Sequence, residues 1–343
     1  MLGTLSPGRL LTRVGAAAAL LVLVMLLCAL VGSQAVSLKA VVSTPAGAAA
    51  PNPDYEIFVH VRIPRIILAA LVGAALACAG VVFQALLRNP LADPYILGIS
   101  SGAGLGAMLA VLGGLGWTLW GRSPIALFAF VGALGTVWLV WGIGRLTGRH
   151  HVTGLLLAGV VVNAFLSAMI LFLTSIARSQ QFYATIFWLM GNLSEEDFLV
   201  LWVSGGGILA GIVGLFFLGP QLNIISVGYH DARSVGVAVE KVEFAAFAMA
   251  AFITAVAVSL SGLIGFVGLI IPHAVRIVFG PDHRQLLPLS GLAGAMFLVV
   301  ADTIARTIVA PAQLPVGVIT ALLGGPFFLI LLIRSSRKAY WPA

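Results

Sequence analysis

Charge is what this sequence has least of. Only 8% of its 343 residues are Asp, Glu, Lys or Arg, while 61% are hydrophobic. Soluble domains carry about 25% charged residues, so a soluble globular fold is excluded. Cysteine is as scarce. Cys28 and Cys78 are the two in the chain, and each lies inside an apolar run. That argues against a disulfide framework or a cysteine metal site and leaves both as small core residues. Lysine occurs three times, at Lys39, Lys241 and Lys338, and never after a glycine. The pattern G-x-x-x-x-G-K-[ST] is therefore absent, and this chain does not itself bind ATP by a P-loop. HExxH and paired carboxylates within apolar runs are missing too, which removes those constellations for hydrolysis.

What fills the chain instead is long apolar runs. They are continuous over about 18–24 residues, which suits membrane helices, whereas barrel strands would be about 10 residues long and alternating. The sequence predicts an all-α polytopic membrane protein with about ten transmembrane helices, forming one transmembrane domain over 1–343 with a polar segment at about 220–243. The expected spans are Gly15–Gly32, about 65–87, 95–115, 124–145, 153–175, 198–219, 244–260, the Gly262–Pro288 stretch, 287–309 and 315–333. The first run has a basic flank and small residues after it, so it reads either as a signal peptide or as an uncleaved first helix; its length favours the helix. Residues 33–61 read as a loop, and the partly apolar 178–197 segment as a loop that dips back into the membrane.

The net charge of +7 does not point to nucleic acid. The basic residues stand singly between apolar runs, where they orient a membrane protein relative to lipid. With the N-terminus in the cytoplasm, Arg9, Arg13, Arg88, Arg145, Arg149, Arg233, Lys241, Arg276, Arg284, Arg334, Arg337 and Lys338 lie inside, and Lys39, Arg62, Arg65, Arg122, Arg178 and Arg306 lie outside. This bias predicts both termini in the cytoplasm.

The stretch GLIGFVGLIIPHAVRIVFGPDHRQLLP, Gly262–Pro288, carries the strongest local signal. Pro272 frees a backbone carbonyl that lipid cannot serve, and Arg276 needs a partner or a polar cavity. A helix facing the bundle interior satisfies both; a short helix whose Arg276 snorkels to the surface is the alternative. Residues 75–90 resemble 259–273, and 100–109 resemble 289–298, a spacing of five helices that implies inverted repeats. In a chain with 40 glycines, coincidence of small residues is the competing reading. The glycines of Ser100–Ala107 read as helix-packing positions rather than a nucleotide loop, since no strand precedes them. His150 and His151 are adjacent, do not share a helical face and make a poor metal pair. Asp302 and Arg306 stand four apart and read as a charge pair. Gln84 and Asn163 either bond between helices or line a pathway.

Seven ordered motifs then carry a resemblance: RIPR (62–65), NPLADP (89–94), LGISSGA (97–103), GFVGLIIPHxxR (265–276), DHRxLLP (282–288), ADTxAR (301–306) and LPVGVITALLGGPFF (314–328). The chain resembles, over nearly its whole length, the FecCD family of permease subunits of ABC importers for iron–siderophores, haem and vitamin B12. The resemblance implies a BtuC-like fold of ten helices and pairing with a second permease copy. It also implies two cytoplasmic ATPase subunits, which would hold ATP and magnesium, and a periplasmic or lipid-anchored binding protein. Arg62, Arg65 and Arg306 match arginines that meet acidic residues of the binding protein. Gly228, Asp231, Ala232, Arg233 and Gly236 match the ATPase-coupling helices, with Tyr229 where the family usually has Glu. Asn89, Val152 and Thr153 match cytoplasmic gates, with Asn163 a further path candidate. Gln313 stands where many relatives have Glu. The implied setting is the bacterial inner membrane. The rival reading, an ion-coupled secondary transporter, needs carboxylates at mid-membrane, whereas Asp54, Glu56, Asp93, Glu195, Glu196, Asp197, Asp231, Glu240, Glu243, Asp282 and Asp302 read mostly as loop or helix-end residues.

Overall fold

The computed structural model describes residues 6–43, 52–114, 124–146, 151–193 and 198–339. The side chains of His151, Val152 and His230, and those from 331 onward, lie outside the description, as do Arg122, Arg149, His150 and the Glu195–Asp197 acids. The described elements are helical throughout. Helix α1 is Pro7–Leu30, α2 is Pro53–Leu86, α3 is Ile99–Leu112, α4 is Ile125–Leu146 and α5 is His151–Ile176. Then come α6 (Ser179–Leu189), α7 (Phe198–Phe217), α8 (Gly219–Val227) and α9 (Tyr229–Ser234). The chain closes with α10 (Val239–Ser261), α11 (Val267–Phe279), α12 (His283–Thr307) and α13 (Val316–Ala339). Among the described residues, seven are long and apolar enough to cross a membrane, and α3, α11 and the Val316–Ile330 part of α13 are shorter apolar helices. Together they match the ten expected apolar runs, three of them as shorter helices.

Two boundaries differ from expectation. The loop read over residues 33–61 holds a short helix at Leu38–Ser43 and is helical again from Pro53, where Asn52 accepts the N–H of Asp54 and Pro53 occupies a first-turn position. Pro64 cannot donate to the preceding turn, and Glu56–Arg62 is wound as a π-helix, Ile63 N–H reaching Phe58 O. The third span does not start as an α-helix. Pro94–Leu97 is a 3-10 turn, Gly98 takes a left-handed φ of 77°, and α3 begins only then.

Helices α2 and α12 form the centre, and glycines set their spacing. A Cβ on Gly73 would stand 2.2 Å from the Gly294 carbonyl oxygen, and one on Gly80 would stand 1.9 Å from that of Gly268 in α11. Small residues let backbones meet without side chains between them. The same device joins α3 to α4: Gly102 and Gly106 face the carbonyls of Gly132 and Phe128. The glycine-rich stretch is therefore packing surface. Outward faces stay apolar, with Leu11, Phe165, Trp202 and Phe217 among the exposed side chains. On a polytopic membrane protein these face lipid, not water.

Helix α6 descends along α3. Gln181 Nε2 bonds Val111 O at 3.3 Å, Thr185 lies against Met108 Sδ, and Leu189 faces Gly104. The contacts move from the end of α3 toward its middle, as a segment dipping into the bundle would. Its end meets a second break, residues 262–266 between α10 and α11. Gly191, Gly262 and Gly317 come together there, each with a backbone carbonyl where a Cβ would stand. Residues 75–86 run on as helix while 262–266 do not, so the local likeness of those two stretches does not extend to their backbones.

Candidate functional site

The functional residues fall at two opposite ends of the α2–α12 pair. One end holds the arginines expected to meet a binding protein. The other holds the polar segment, the gate residues and the Pro272 break.

Pro272 lies inside α11 and has no N–H for the carbonyl four residues back, that of Gly268. Gln84 of α2 supplies the missing donor. Its Nε2 lies 3.3 Å from Gly268 O and 3.4 Å from Leu269 O, and its Oε1 accepts from Arg276 Nη2 at 2.9 Å. One buried amide therefore serves the proline break and the half-buried arginine together. Arg276 faces the bundle through this bond, which is the inward reading of that stretch. Beside it, Pro90, Leu269, Ile270, His273, Phe327 and Phe328 line a shallow crevice.

The expected gate residues lie around the 87–98 turn and the start of α5. Asn89 accepts the N–H of Leu91 at 2.9 Å and so closes the turn locally. Gly159 and Asn163 of α5 lie against the Ile96–Gly98 backbone. Thr153 is exposed at the start of α5, and the Val152 side chain lies outside the described residues. Asp93 is buried and caps the 3-10 turn through Tyr95 N–H at 2.9 Å; burial pushes its carboxyl up to about 6. Tyr95 Oη donates to Ile264 O at 2.6 Å and accepts Ile264 N–H at 2.8 Å, tying this turn to the 262–266 break.

The polar segment folds as α8 and α9. Ala232 is fully buried against Ile225 and Val239, so the small residue faces this chain's own core, while Asp231, Arg233 and Gly236 are exposed. Gly228 leaves room for the Asp231 carboxylate, and Gly236 takes φ 85° to end the helix. Arg233 pairs with Glu240. Helix α8 is fastened to α12 by Asn223, whose Nδ2 donates to Asp282 Oδ1 at 2.8 Å and whose Oδ1 accepts the His283 N–H at 2.8 Å. Asp282 also caps α12 through Arg284 N–H, and the Arg284 side chain holds its carboxyl down at about 2. Two residues here escaped the sequence reading as contacts. Arg88 stacks over the Tyr229 ring at 4.2 Å, and its Nη2 donates to Ile225 O at 3.1 Å. Tyr229 Oη reaches Leu86 O at 3.4 Å, and burial, with Glu243 nearby, pushes its phenol up to about 12.

At the opposite end, Arg62, Arg65 and Arg306 are drawn together but turned inward. Arg65 Nε and Nη2 both donate to Asp302 Oδ1 at 3.0 Å, and Arg65 Nη1 donates to Gln313 Oε1 at 3.0 Å. Arg306 Nε donates to Asp302 Oδ2 at 2.9 Å. The Asp302–Arg306 pair is thus one part of a buried three-residue network. Arg62 donates to Ala29 O at 3.0 Å, and to Gln34 O, closing the end of α1. Arg65 and Arg306 share Asp302, Asp54 acts on Arg62, and Gln313 supplies a neutral acceptor to Arg65.

Comparison with known proteins places the chain in a family. The model of the FecCD transport family matches residues 20–334. The hemin transport system permease protein HmuU of Yersinia pestis is 40% identical over 289 residues, 83% of this chain and 85% of its own. The cobalamin import system permease protein BtuC of Halobacterium salinarum is 42% identical over 284 residues, 82% of this chain and 74% of its own. A solved inward-facing transporter assigned to the metal-chelate ABC type superposes with a TM-score of 0.81 at 30% identity, covering 94% of this chain and 98% of that one.

Proposed function

The chain belongs to the FecCD transport family, and from that membership we propose that it is the membrane-spanning permease subunit of an ATP-driven ABC importer for a bulky metal chelate: an iron–siderophore, haem or cobalamin. The observation that carries this reading is the family match across residues 20–334, nearly the whole described bundle.

In this reading two copies pair, and the substrate passes along the axis between them. Two ATPase subunits, which hold ATP and magnesium, engage the end that carries Gly228, Asp231, Ala232, Arg233 and Gly236. Exposed Asp231 and Arg233 support that contact, with buried Ala232 setting the seat of α9. Both termini lie on the cytoplasmic side of the cell membrane. A periplasmic or lipid-anchored binding protein docks at the Arg62, Arg65 and Arg306 end, where guanidinium forks suit carboxylates. The clustering of the three arginines supports docking of an acidic surface, and Asp302 occupies two of the three forks in its absence. Nucleotide-driven movement of α8 and α9 opens the path past Asn89, Val152, Thr153 and Asn163. No covalent step falls on this chain.

The test is reconstitution in nanodiscs with the co-expressed ATPase and binding protein, reading ATP hydrolysis against hemin, ferric siderophores and cobalamin. Stimulation by one loaded binding protein, lost in Arg62→Glu/Arg65→Glu, is the expected result. Uptake driven by a proton or sodium gradient without any ATPase would replace the importer with the secondary transporter.

A further inference from the structure

Two helices in this chain end in the same way. In each, the chain turns through one left-handed residue, and two backbone bonds close the cap. At the end of α9, Gly236 is that residue: its N–H meets Arg233 O at 3.0 Å, and the next N–H, Val237, meets Ala232 O at 3.0 Å. At the end of α2, Arg88 N–H meets Ala85 O at 3.3 Å and Asn89 N–H meets Gln84 O at 3.2 Å. The left-handed station is normally glycine's, because a Cβ there crowds the backbone. Arg88 nonetheless holds φ 47°. A strained residue persists where its surroundings over-determine it, and the strain is reason to ask what its side chain does.

That side chain leaves α2 for the polar segment. Its guanidinium lies over the Tyr229 ring at 4.2 Å and donates to Ile225 O in the last turn of α8. A cation suits both the ring face and a helix C-terminus. Tyr229, the first residue of α9, returns the contact by reaching Leu86 O, in the last turn of α2. The residue after Arg88 is Asn89, which closes the gate turn. Arg88 therefore belongs at once to the turn that carries the gate and to the joint between α8 and α9.

Resting on the importer reading, we propose that the Arg88–Tyr229 stack is the positioning contact that makes the 87–93 turn follow α8 and α9 when the ATPases close. The ring at 229 holds the guanidinium by its face. Arg88 touches no substrate in this scheme. It carries displacement from the coupling helices to the turn.

The test uses the permease with its co-expressed ATPase in nanodiscs, with Cys28→Ser and Cys78→Ala, and Leu91→Cys as the reporter in the turn. Maleimide labelling is timed without nucleotide and with ATP and vanadate. The parent is expected to change rate by about fivefold or more between the two states. Arg88→Gly and Tyr229→Leu should lose most of that change, while Tyr229→Phe keeps it, because the ring remains. Arg88→Gly should melt close to the parent temperature, since relief at the left-handed station offsets the lost stack and hydrogen bond; a merely structural arginine would lower it well beyond that. Should Arg88→Gly not assemble, the Tyr229→Leu and Tyr229→Phe pair decides alone. Full nucleotide response in Tyr229→Leu overturns the inference, and so does a parent complex that hydrolyses ATP yet labels at one rate throughout. A parent that neither hydrolyses ATP nor binds the ATPase overturns the importer reading itself.

Discussion

Gln84 Nε2 lies 3.3 Å from Gly268 O, the one carbonyl of α11 that Pro272 deprives of its helical donor. A proline break in lipid must be answered by another part of the protein, and here a single side chain on the neighbouring helix answers it. The crossing is close because both helices carry glycine where they touch, at Gly80 and Gly268.

Gln84→Leu should therefore cost about 2–3 kcal/mol, because the freed carbonyl and Arg276 lose their partner in a buried setting. In a Pro272→Ala background residue 272 regains its N–H, so the same substitution should cost about 1 kcal/mol less. Equal losses in the two backgrounds, measured by unfolding in mixed micelles, would refute the assignment.

Asp302 is the hub of the arginine end. Asp302→Asn leaves the Arg65 and Arg306 guanidiniums buried without their counter-charge, and the loss should reach about 3–5 kcal/mol. Arg65→Gln should cost less, since Asp302 keeps Arg306 at 2.9 Å. The order of the two melting temperatures checks this, and a milder effect for Asp302→Asn would show that the network does not centre on the carboxylate.

Asp93 gives a pH dependence with a definite sign. Its carboxyl titrates near 6 in the fold against 3.8 when unfolded, so the folded state holds the proton longer. Stability should then fall as pH rises from about 4 to about 6, because the buried carboxylate is penalised. Asp93→Asn keeps a capping oxygen and removes the penalty, so it should stabilise by about 2–3 kcal/mol at pH 7 and by little at pH 4. An advantage that does not vary over that range would falsify the burial account.

Gly73→Ala would place a methyl 2.2 Å from the Gly294 carbonyl oxygen, and backbone must move to admit it. A loss of about 1–3 kcal/mol or more is expected. Gly135 has nothing within 4 Å of its added Cβ, and Gly135→Ala should stay within about 0.5 kcal/mol. Comparable melting temperatures for the two variants would show that the α2–α12 contact has room to spare.

The membrane class, the apolar helices and the family were legible in the chain itself. Continuous hydrophobic runs need no tertiary information, because lipid imposes their length, and ordered motifs identify kin without a fold. The packing role of the Gly102–Gly106 stretch was legible for the same reason: small residues in an apolar run have little else to do. The need for a partner at Pro272 and Arg276 was readable too, since both are local facts of bonding and charge.

Which residue answers that need was not readable. Gln84 is 184 residues from Gly268, and sequence weighed it equally as a path residue. The arginines were read as outward forks, because a sequence shows charge but not its neighbours; the fold turns Arg65 and Arg306 onto Asp302 and Arg62 onto the end of α1. Arg88 looked like a loop charge until the end of α2 set it in a left-handed turn beneath Tyr229. Sequence determines the medium, the elements and their kinship, because these depend on composition and local order. Only the tertiary structure decides the partners, because hydrogen bonds and ion pairs act over a few ångströms between positions that the chain keeps far apart.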